Sequence, residues 1–322
     1  MTDTAHQLCV AVIAGGLAHE REISLRSGKR LVRALKSQGH QVTLCDMDSS
    51  MMSTLDMIQP DVVWPMVHGT EGEGGSLQDL LDLLGWNYVG STPEGCRIST
   101  AKPVAKSVVD KNGLRTPASM TLPQQLFQLV GATAILERIE HSFGLPVIVK
   151  PTEGGSALGI TRAENAEQLR TAMVDAFAYG KEVLIEKFIE GREIAISIVD
   201  EDGPKDCVHP LALPAVEIRT DAGDYDYDAR YNSGRTEFFC PADLNDQENA
   251  QMTQLALSCY RVLELRDLAR IDMILDNEGY GWFIDANVIP GMTDMSLFPL
   301  AAQADKGFDL VIDMVTRRAA QR

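Results

Sequence analysis

The apolar positions of this chain fall into short runs that alternate with stretches of helical period. Cys9-Val-Ala-Val-Ile13 is apolar throughout and stops at Gly15-Gly16, the pattern of a buried parallel strand followed by a tight turn. Leu25, Gly28, Leu31, Val32 and Leu35 then recur at helical spacing over 22–38, and Gly39 supplies the stop. Gln41 to Cys45 and Asp61 to Val67 read as further strands. Ser76-Leu-Gln-Asp79 has the form of a capping box ahead of Leu77, Leu80, Leu81 and Leu84, with Gly85 as the stop. Strands alternating with helices predict a doubly wound parallel sheet.

The pattern changes near residue 91. Lys102 to Asn112 reads as a helix with Pro103 in its first turn and Gly113 after its end. Leu145-Pro-Val-Ile-Val-Lys150 is a short strand. Glu164 to Tyr179 is amphipathic, its stripe of Leu169, Ala172, Met173, Ala176 and Phe177 being core. Val183 to Ile189 is an apolar strand interrupted by Glu186-Lys187, and Ile194, Ile196 and Ile198 alternate in another. The charged pair marks either a linker facing a cleft or a strand end emerging into solvent. Asp221 to Arg235 is polar, turn-rich and long enough for a lid. Leu255, Cys259 and Val262 mark a helix, and Ser296-Leu297 precede a final one.

Between those two helices lie paired runs, Arg270–Leu275 and Trp282–Asn287, separated by the turn-forming Asp276-Asn-Glu-Gly-Tyr-Gly281. Pairing across that loop sets Leu275 against Trp282, Asp272 against Asp285 and Arg270 against Asn287. With a side-chain period of two, Arg270, Asp272, Asp285 and Asn287 share one face. Two carboxylates facing each other at ~5 Å repel. Positive charge must therefore sit between them, from Arg270 or from a hard cation such as Mg²⁺, which takes carboxylate and amide oxygens. A solvated face carrying an Arg–Asp pair accounts for the same residues.

Composition narrows the functional classes. The 322 residues are 45% hydrophobic and 23% charged, ordinary for two or three globular domains. With 46 acidic against 29 basic residues the net charge is −17, which disfavours nucleic acid and anionic membrane as partners. Six widely spaced cysteines without a CxxC pair fit free thiols in a reducing cytoplasm. The first residues lack a basic segment ahead of an apolar run, so no signal peptide is expected, and no apolar stretch approaches the ~20 residues of a membrane span.

Three loops are candidates for chemistry. Gly15-Gly16 is followed by Leu-Ala-His-Glu-Arg, without the GxGxxG fingerprint of dinucleotide folds. Ligands of open α/β sheets bind beyond the carboxyl ends of the strands, which places Glu20 to meet a cationic group; complementing a helix dipole is its other role. His68-Gly-Thr-Glu-Gly-Glu-Gly-Gly75 is a pliable loop in which His68 is either a ligand contact or an ordinary polar residue. Lys150-Pro-Thr-Glu-Gly-Gly-Ser-Ala-Leu-Gly159 places a lysine before a glycine-rich loop of the kind that cradles phosphate, although the P-loop order is missing.

In this order the motifs resemble the D-alanine–D-alanine ligases of the ATP-grasp superfamily over nearly the whole chain. The carrying residues are 14–28 (AGGLAHEREISLRSG), 68–81 (HGTEGEGGSLQDLL), 144–159 (GLPVIVKPTEGGSALG), 183–193 (VLIEKFIEGRE), 225–231 (YDYDARY) and the hairpin with NVIPGMTDMSLFP. The resemblance implies an α/β and α+β fold: a doubly wound parallel-sheet domain (1–95), a central ATP-grasp lobe (96–187) and a C-terminal lobe (188–322) with the metal and substrate site. It implies ATP and two Mg²⁺ or Mn²⁺, two D-alanine molecules joined for peptidoglycan, and a homodimer formed through the first domain. By the same resemblance Lys102 and Lys150 match the phosphate lysines, Glu186, Lys187, Phe188 and Ile189 the adenine side, and Glu193 the ribose ligand. Asp272, Asp285 and Asn287 match the metal ligands. Glu20 matches the acid for the first substrate's ammonium, in a trio with Ser156 and Tyr231. Arg270 matches the arginine that stabilises the acyl phosphate and tetrahedral intermediate. His68, Gly291, Ser296 and Leu297 match substrate contacts, with Arg230 in place of the usual lid lysine. Departures from the family pattern are Asp285 for Glu, Ala101 for Asp, Glu73-Gly74 for an acidic pair, and Glu153-Gly-Gly-Ser-Ala157 for Arg-Glu-Gly-Ser-Ser. They leave room for another small amino acid as substrate, while Tyr231 favours an amine nucleophile.

Overall fold

In a computed structural model of the chain, residues 6–154, 159–202, 208–220 and 236–322 are described. Ser156, Arg230 and Tyr231, and the lid expected over 221–235, lie outside them.

Strands β1 (Cys9–Ala14), β2 (Gln41–Asp46) and β3 (Val62–Pro65) form a parallel sheet of order β2-β1-β3. Each face of β1 is buried, which is why its apolar run is unbroken. Val10 and Val12 pack with Leu31 and Leu35 of α1 (Arg21–Ser37). Ala11 and Ile13 pack with Leu55 of α2 (Met51–Ile58) and with Leu77 and Leu81 of the helix over Ser76–Leu84. Between α2 and that helix lies a single turn, α3 (Thr70–Glu73), so the helix is α4. The capping box expected at Ser76 is not formed. Gly75, in the left-handed region at φ 90°, occupies the N-cap, and Asp79 pairs with Arg97 instead. A Cβ at Gly75 would lie 2.7 Å from the Pro93 carbonyl oxygen, so a close backbone approach decides this helix start. The expected strand over Asp61–Val67 is also shorter than its apolar pattern.

Helices α5 (Pro93–Thr100) and α6 (Lys102–Lys111) lead into a second, antiparallel sheet of order β4-β7-β5-β6. It contains β4 (Ser119–Pro123), β5 (Val147–Pro151), β6 (Thr161–Ala163) and β7 (Glu182–Lys187). Helices α7 (Gln124–Val130), α8 (Ala132–Ser142) and α9 (Ala166–Phe177) accompany it. Alternation sorts its side chains. Val147, Val149, Val183 and Ile185 meet Leu136, Leu169 and Met173 in a separate core, while Ile148, Lys150 and Glu186 line a cleft on the other face. The strand expected to run to Ile189 ends at Lys187.

The third sheet is antiparallel, of order β11-β10-β8-β12-β13 with β9 beside β8. Its strands are β8 (Gly191–Asp202), β9 (Val208–Ala212), β10 (Val216–Thr220), β11 (Thr236–Phe239), β12 (Leu268–Asp276) and β13 (Gly281–Asn287). Helix α10 (Asp246–Val262) opens with a complete capping box from Asn245 and Glu248. The chain closes with two helices rather than one, α11 (Leu297–Asp305) and α12 (Phe308–Ala320). The last of these returns to the first sheet, where Trp64 Nε1 donates to Thr316 Oγ1 at 2.8 Å. One continuous core therefore runs from Val10 and Trp64 to Ile196, Ile271 and Phe298, whereas the second sheet keeps its own. Among the described residues no helix is long and apolar enough to cross a membrane, and the five described cysteines are free thiols.

Candidate active site

The hairpin of β12 and β13 forms one wall of a cleft of about 540 Å³, and the second sheet forms the other. Arg270 pairs with Asn287 and Asp272 with Asp285, as the alternation predicts. The register then shifts: Met273 faces Phe283 and Leu275 faces Gly281, not Trp282. Ile284 is the extra residue of a β-bulge. The bulge turns both Ile284 and Asp285 to the cleft while Phe283 is fully buried behind them. Its cause is the edge of the sheet. Phe283 donates its N–H to the Arg115 carbonyl (2.8 Å) and accepts from Thr116 Oγ1 (3.0 Å), so the linker after α6 takes the outer hydrogen bonds of β13.

At the polar end of the hairpin, Arg270 holds Asp272 with two hydrogen bonds of 2.6 and 2.8 Å, and Asn287 Nδ2 donates to Asp272 Oδ2 at 3.0 Å. Arg270 is buried while Asp272 and Asp285 remain partly exposed, so the Arg–Asp pair lies in a cleft wall rather than on an open surface. Asp285 accepts from the Ala286 amide, and its Oδ2 lies 3.9 Å from Lys102 Nζ. The remaining donors are carboxylate and amide oxygens, which suit a hard divalent cation completed by phosphate oxygens. Among the described residues no three His, Cys, Asp or Glu side chains could hold a metal by themselves.

The opposite wall carries an ion triad. Lys150 Nζ lies 2.7 Å from Glu186 Oε1, and Lys106 Nζ lies 3.0 Å from Glu186 Oε2. The three residues are 2%, 3% and 3% exposed for Lys150, Glu186 and Lys106. The emerging-strand-end alternative for Glu186 is thus excluded. Burial alone would push the Glu186 carboxyl up, but the two ammonium groups outweigh it and hold the group below the usual carboxylate range. Burial pulls Lys106 down, against the Glu186 charge. Lys106 escaped the sequence reading. Its available signal was a position four residues after Lys102, on the same helical face.

Beyond the triad, Lys187, Phe188, Ile189 and Glu193 line the cleft with Ile148, Ile274 and Ile284, giving it an apolar end. Arg162 lies over the Phe188 ring at 4.0 Å. At the mouth, Arg192 and Arg219 each grip buried Glu217 with two hydrogen bonds. Burial would raise Glu217, yet these bonds and charges hold it at about 2, against an ordinary 4.5. A depressed folded pKa stabilises above the unfolded value and is lost on acidification. Glu217→Gln should therefore lower the urea midpoint near neutral pH, and the gap to wild type should narrow from about 4.5 towards about 2. A gap that stays constant across this window would contradict the assignment.

The other expected residues fall into two neighbouring groups. Glu20 is buried at the start of α1, and its Oε2 lies 3.6 Å from where a Cβ of Gly69 would stand. His68 places Nδ1 3.3 Å from Glu73 Oε1, while its buried Nε2 has no hydrogen-bond partner among the described residues. Ser296 caps no helical amide. Its Oγ accepts from the Thr293 amide and contacts Thr293 Oγ1, at 3.1 and 2.8 Å. A Cβ at Gly291 would lie 2.9 Å from that oxygen, so these two residues meet as expected. The side chain of Leu297 belongs to the core, leaving its backbone amide, in the first turn of α11, for any ligand.

Lys102 and Asp285 also border a second cavity of about 270 Å³ that runs to the 70–74 loop. Lys102 Nζ donates to the Gly154 carbonyl at 2.6 Å. Gly74, Ala101, Gly154 and Asp285, four of the positions that depart from the family pattern, line this one space.

A family model described as D-ala D-ala ligase C-terminus matches residues 108–316. A D-alanine–D-alanine ligase of Bordetella petrii is 39% identical over 92% of this chain and 86% of its own. One of Fervidobacterium nodosum is 33% identical over 97% of this chain and 99% of its own. The crystal structure of the D-alanine–D-alanine ligase from Bacillus anthracis complexed with ATP matches the fold with a TM-score of 0.79 at 25% identity, covering 98% of both chains. Three sheets in this arrangement, a cleft between the last two and these likenesses define an ATP-grasp ligase that joins small amino acids. The chain belongs to the D-alanine–D-alanine ligase family.

Proposed function

We propose that the enzyme joins two D-alanines with ATP, through an acyl phosphate, to give the dipeptide used in peptidoglycan. The observation that carries this reading is the pairing, across one cleft, of the Lys150–Glu186 wall with the Arg270–Asp272–Asn287 hairpin. ATP lies with its base at the apolar end, along Lys187–Ile189, and its ribose by Glu193. Its phosphates lie toward Lys102 and Lys150. Asp272, Asp285 and Asn287 would hold Mg²⁺ or Mn²⁺, which when bound neutralises charge on phosphoryl oxygens.

Activation converts a poor electrophile into one with a good leaving group. Glu20 holds the first substrate's ammonium, and Gly291, Ser296 and the Leu297 amide receive the second substrate's carboxylate. Arg270 stabilises the oxyanion as the second amine attacks, an interaction worth ~3 kcal/mol in comparable sites. The Bacillus anthracis neighbour's ATP complex supports the nucleotide assignment.

A second reading, ligation of another small amino acid, draws on the 270 Å³ cavity beside Lys102. Release of ADP with Mg²⁺, ATP and a panel of D- and L-amino acids separates the two. D-alanine alone should support release and yield the dipeptide. Faster release with a different amino acid would favour the second reading, and no release with any would overturn both.

A further inference from the structure

Lys106 does not line the cleft, yet it is buried against a residue that does. Its ammonium lies 3.0 Å from Glu186 Oε2 and donates to Thr116 Oγ1 at 2.7 Å. Thr116 in turn donates to the Phe283 carbonyl, beside the bulge that presents Asp285. The lysine is therefore anchored from the hairpin side, while Glu186 and Lys150 belong to the opposite wall.

The charges decide what this anchoring does. Glu186 and Lys150 alone would be a neutral buried pair, with the Lys150 charge spent on its partner. Adding Lys106 makes the triad net positive by one. A phosphate that draws on Lys150 then leaves Glu186 still paired, so that no buried charge is left uncompensated. We infer that Lys106 is a positioning residue for nucleotide binding: it neutralises Glu186 and so keeps the charge of Lys150 available to the phosphates of ATP. The inference rests on the proposed placement of ATP and concerns a residue one step removed from it.

The distinguishing readout is how affinity grows with phosphate number. Binding of AMP, ADP and ATP is measured by calorimetry at fixed Mg²⁺ and ionic strength. For Lys106→Gln, which keeps a donor for Thr116, the ratio of ATP to AMP affinity should fall about tenfold, with AMP affinity changed less than about twofold. Lys106→Arg, which keeps the charge, should retain most of the ratio. An unchanged ratio in Lys106→Gln, with only a lower melting temperature, would reduce Lys106 to a packing role and overturn the inference. Should that variant not fold, Lys106→Met/Glu186→Gln removes both charges together. Its ratio should stay near the wild-type value, and a large fall would overturn the inference equally. Wild-type protein that binds no adenine nucleotide would overturn the proposed function and this inference with it, whereas the variants test the inference alone.

Discussion

Asp272→Asn should reduce ATP-dependent ligation by at least about a thousandfold, because charge stabilisation by a bound divalent ion contributes several kcal/mol to phosphoryl transfer. The substitution is nearly isosteric. It keeps one acceptor for Arg270 but removes the charge that makes the hairpin a cation site, and one of the two hydrogen bonds of 2.6 and 2.8 Å is lost because the amide nitrogen cannot accept. The β12–β13 ladder and the core behind it are untouched, since Ile271 and Met273 point the other way. Initial rates of ADP release, with circular dichroism as the fold control, measure the effect. Near-normal rates in folded protein would remove Asp272 from the metal set.

The second large effect is on stability. Glu186→Gln leaves the Lys106 and Lys150 ammoniums buried together without their shared carboxylate. Breaking a buried pair in this way costs about 3–5 kcal/mol, equivalent to a fall of roughly 6–20 °C in melting temperature for a unit of this size. ATP should restore part of the loss, because its phosphates supply the missing negative charge. Differential scanning calorimetry with and without ATP checks both statements. A melting temperature equal to the wild-type value would mean that the lysines do not depend on Glu186.

Much of this site is legible in local patterns. The two-residue period of Arg270–Leu275 and Trp282–Asn287 places Asp272 against Asp285 and Arg270 against Asn287, as the structure has them. The unbroken apolar run Cys9–Ile13 likewise announces a strand covered on both faces, and Val10–Ile13 are buried on both sides of the sheet. The bulge at Ile284 is invisible at that level, because distant Arg115 and Thr116 take the edge hydrogen bonds of Phe283. The Ser76 capping box fails for a similar reason: the close approach of Gly75 to Pro93 sets the helix start.

The sequence by itself determined the strands and helices with a clear apolar period, among them β1, α1, β5, α9, β8 and the β12–β13 hairpin, the shared face of the hairpin residues and, through six ordered motifs, the family. Those features depend on side-chain period and on neighbours along the chain. Tertiary structure alone decided that Lys106 joins Lys150 on Glu186 and that the last helix covers the first sheet. It also gathered Gly74, Ala101, Gly154 and Asp285 around one cavity. The partners in each of these contacts are far apart in the chain, and whether a buried charge finds its counter-charge is settled only when the elements carrying them pack.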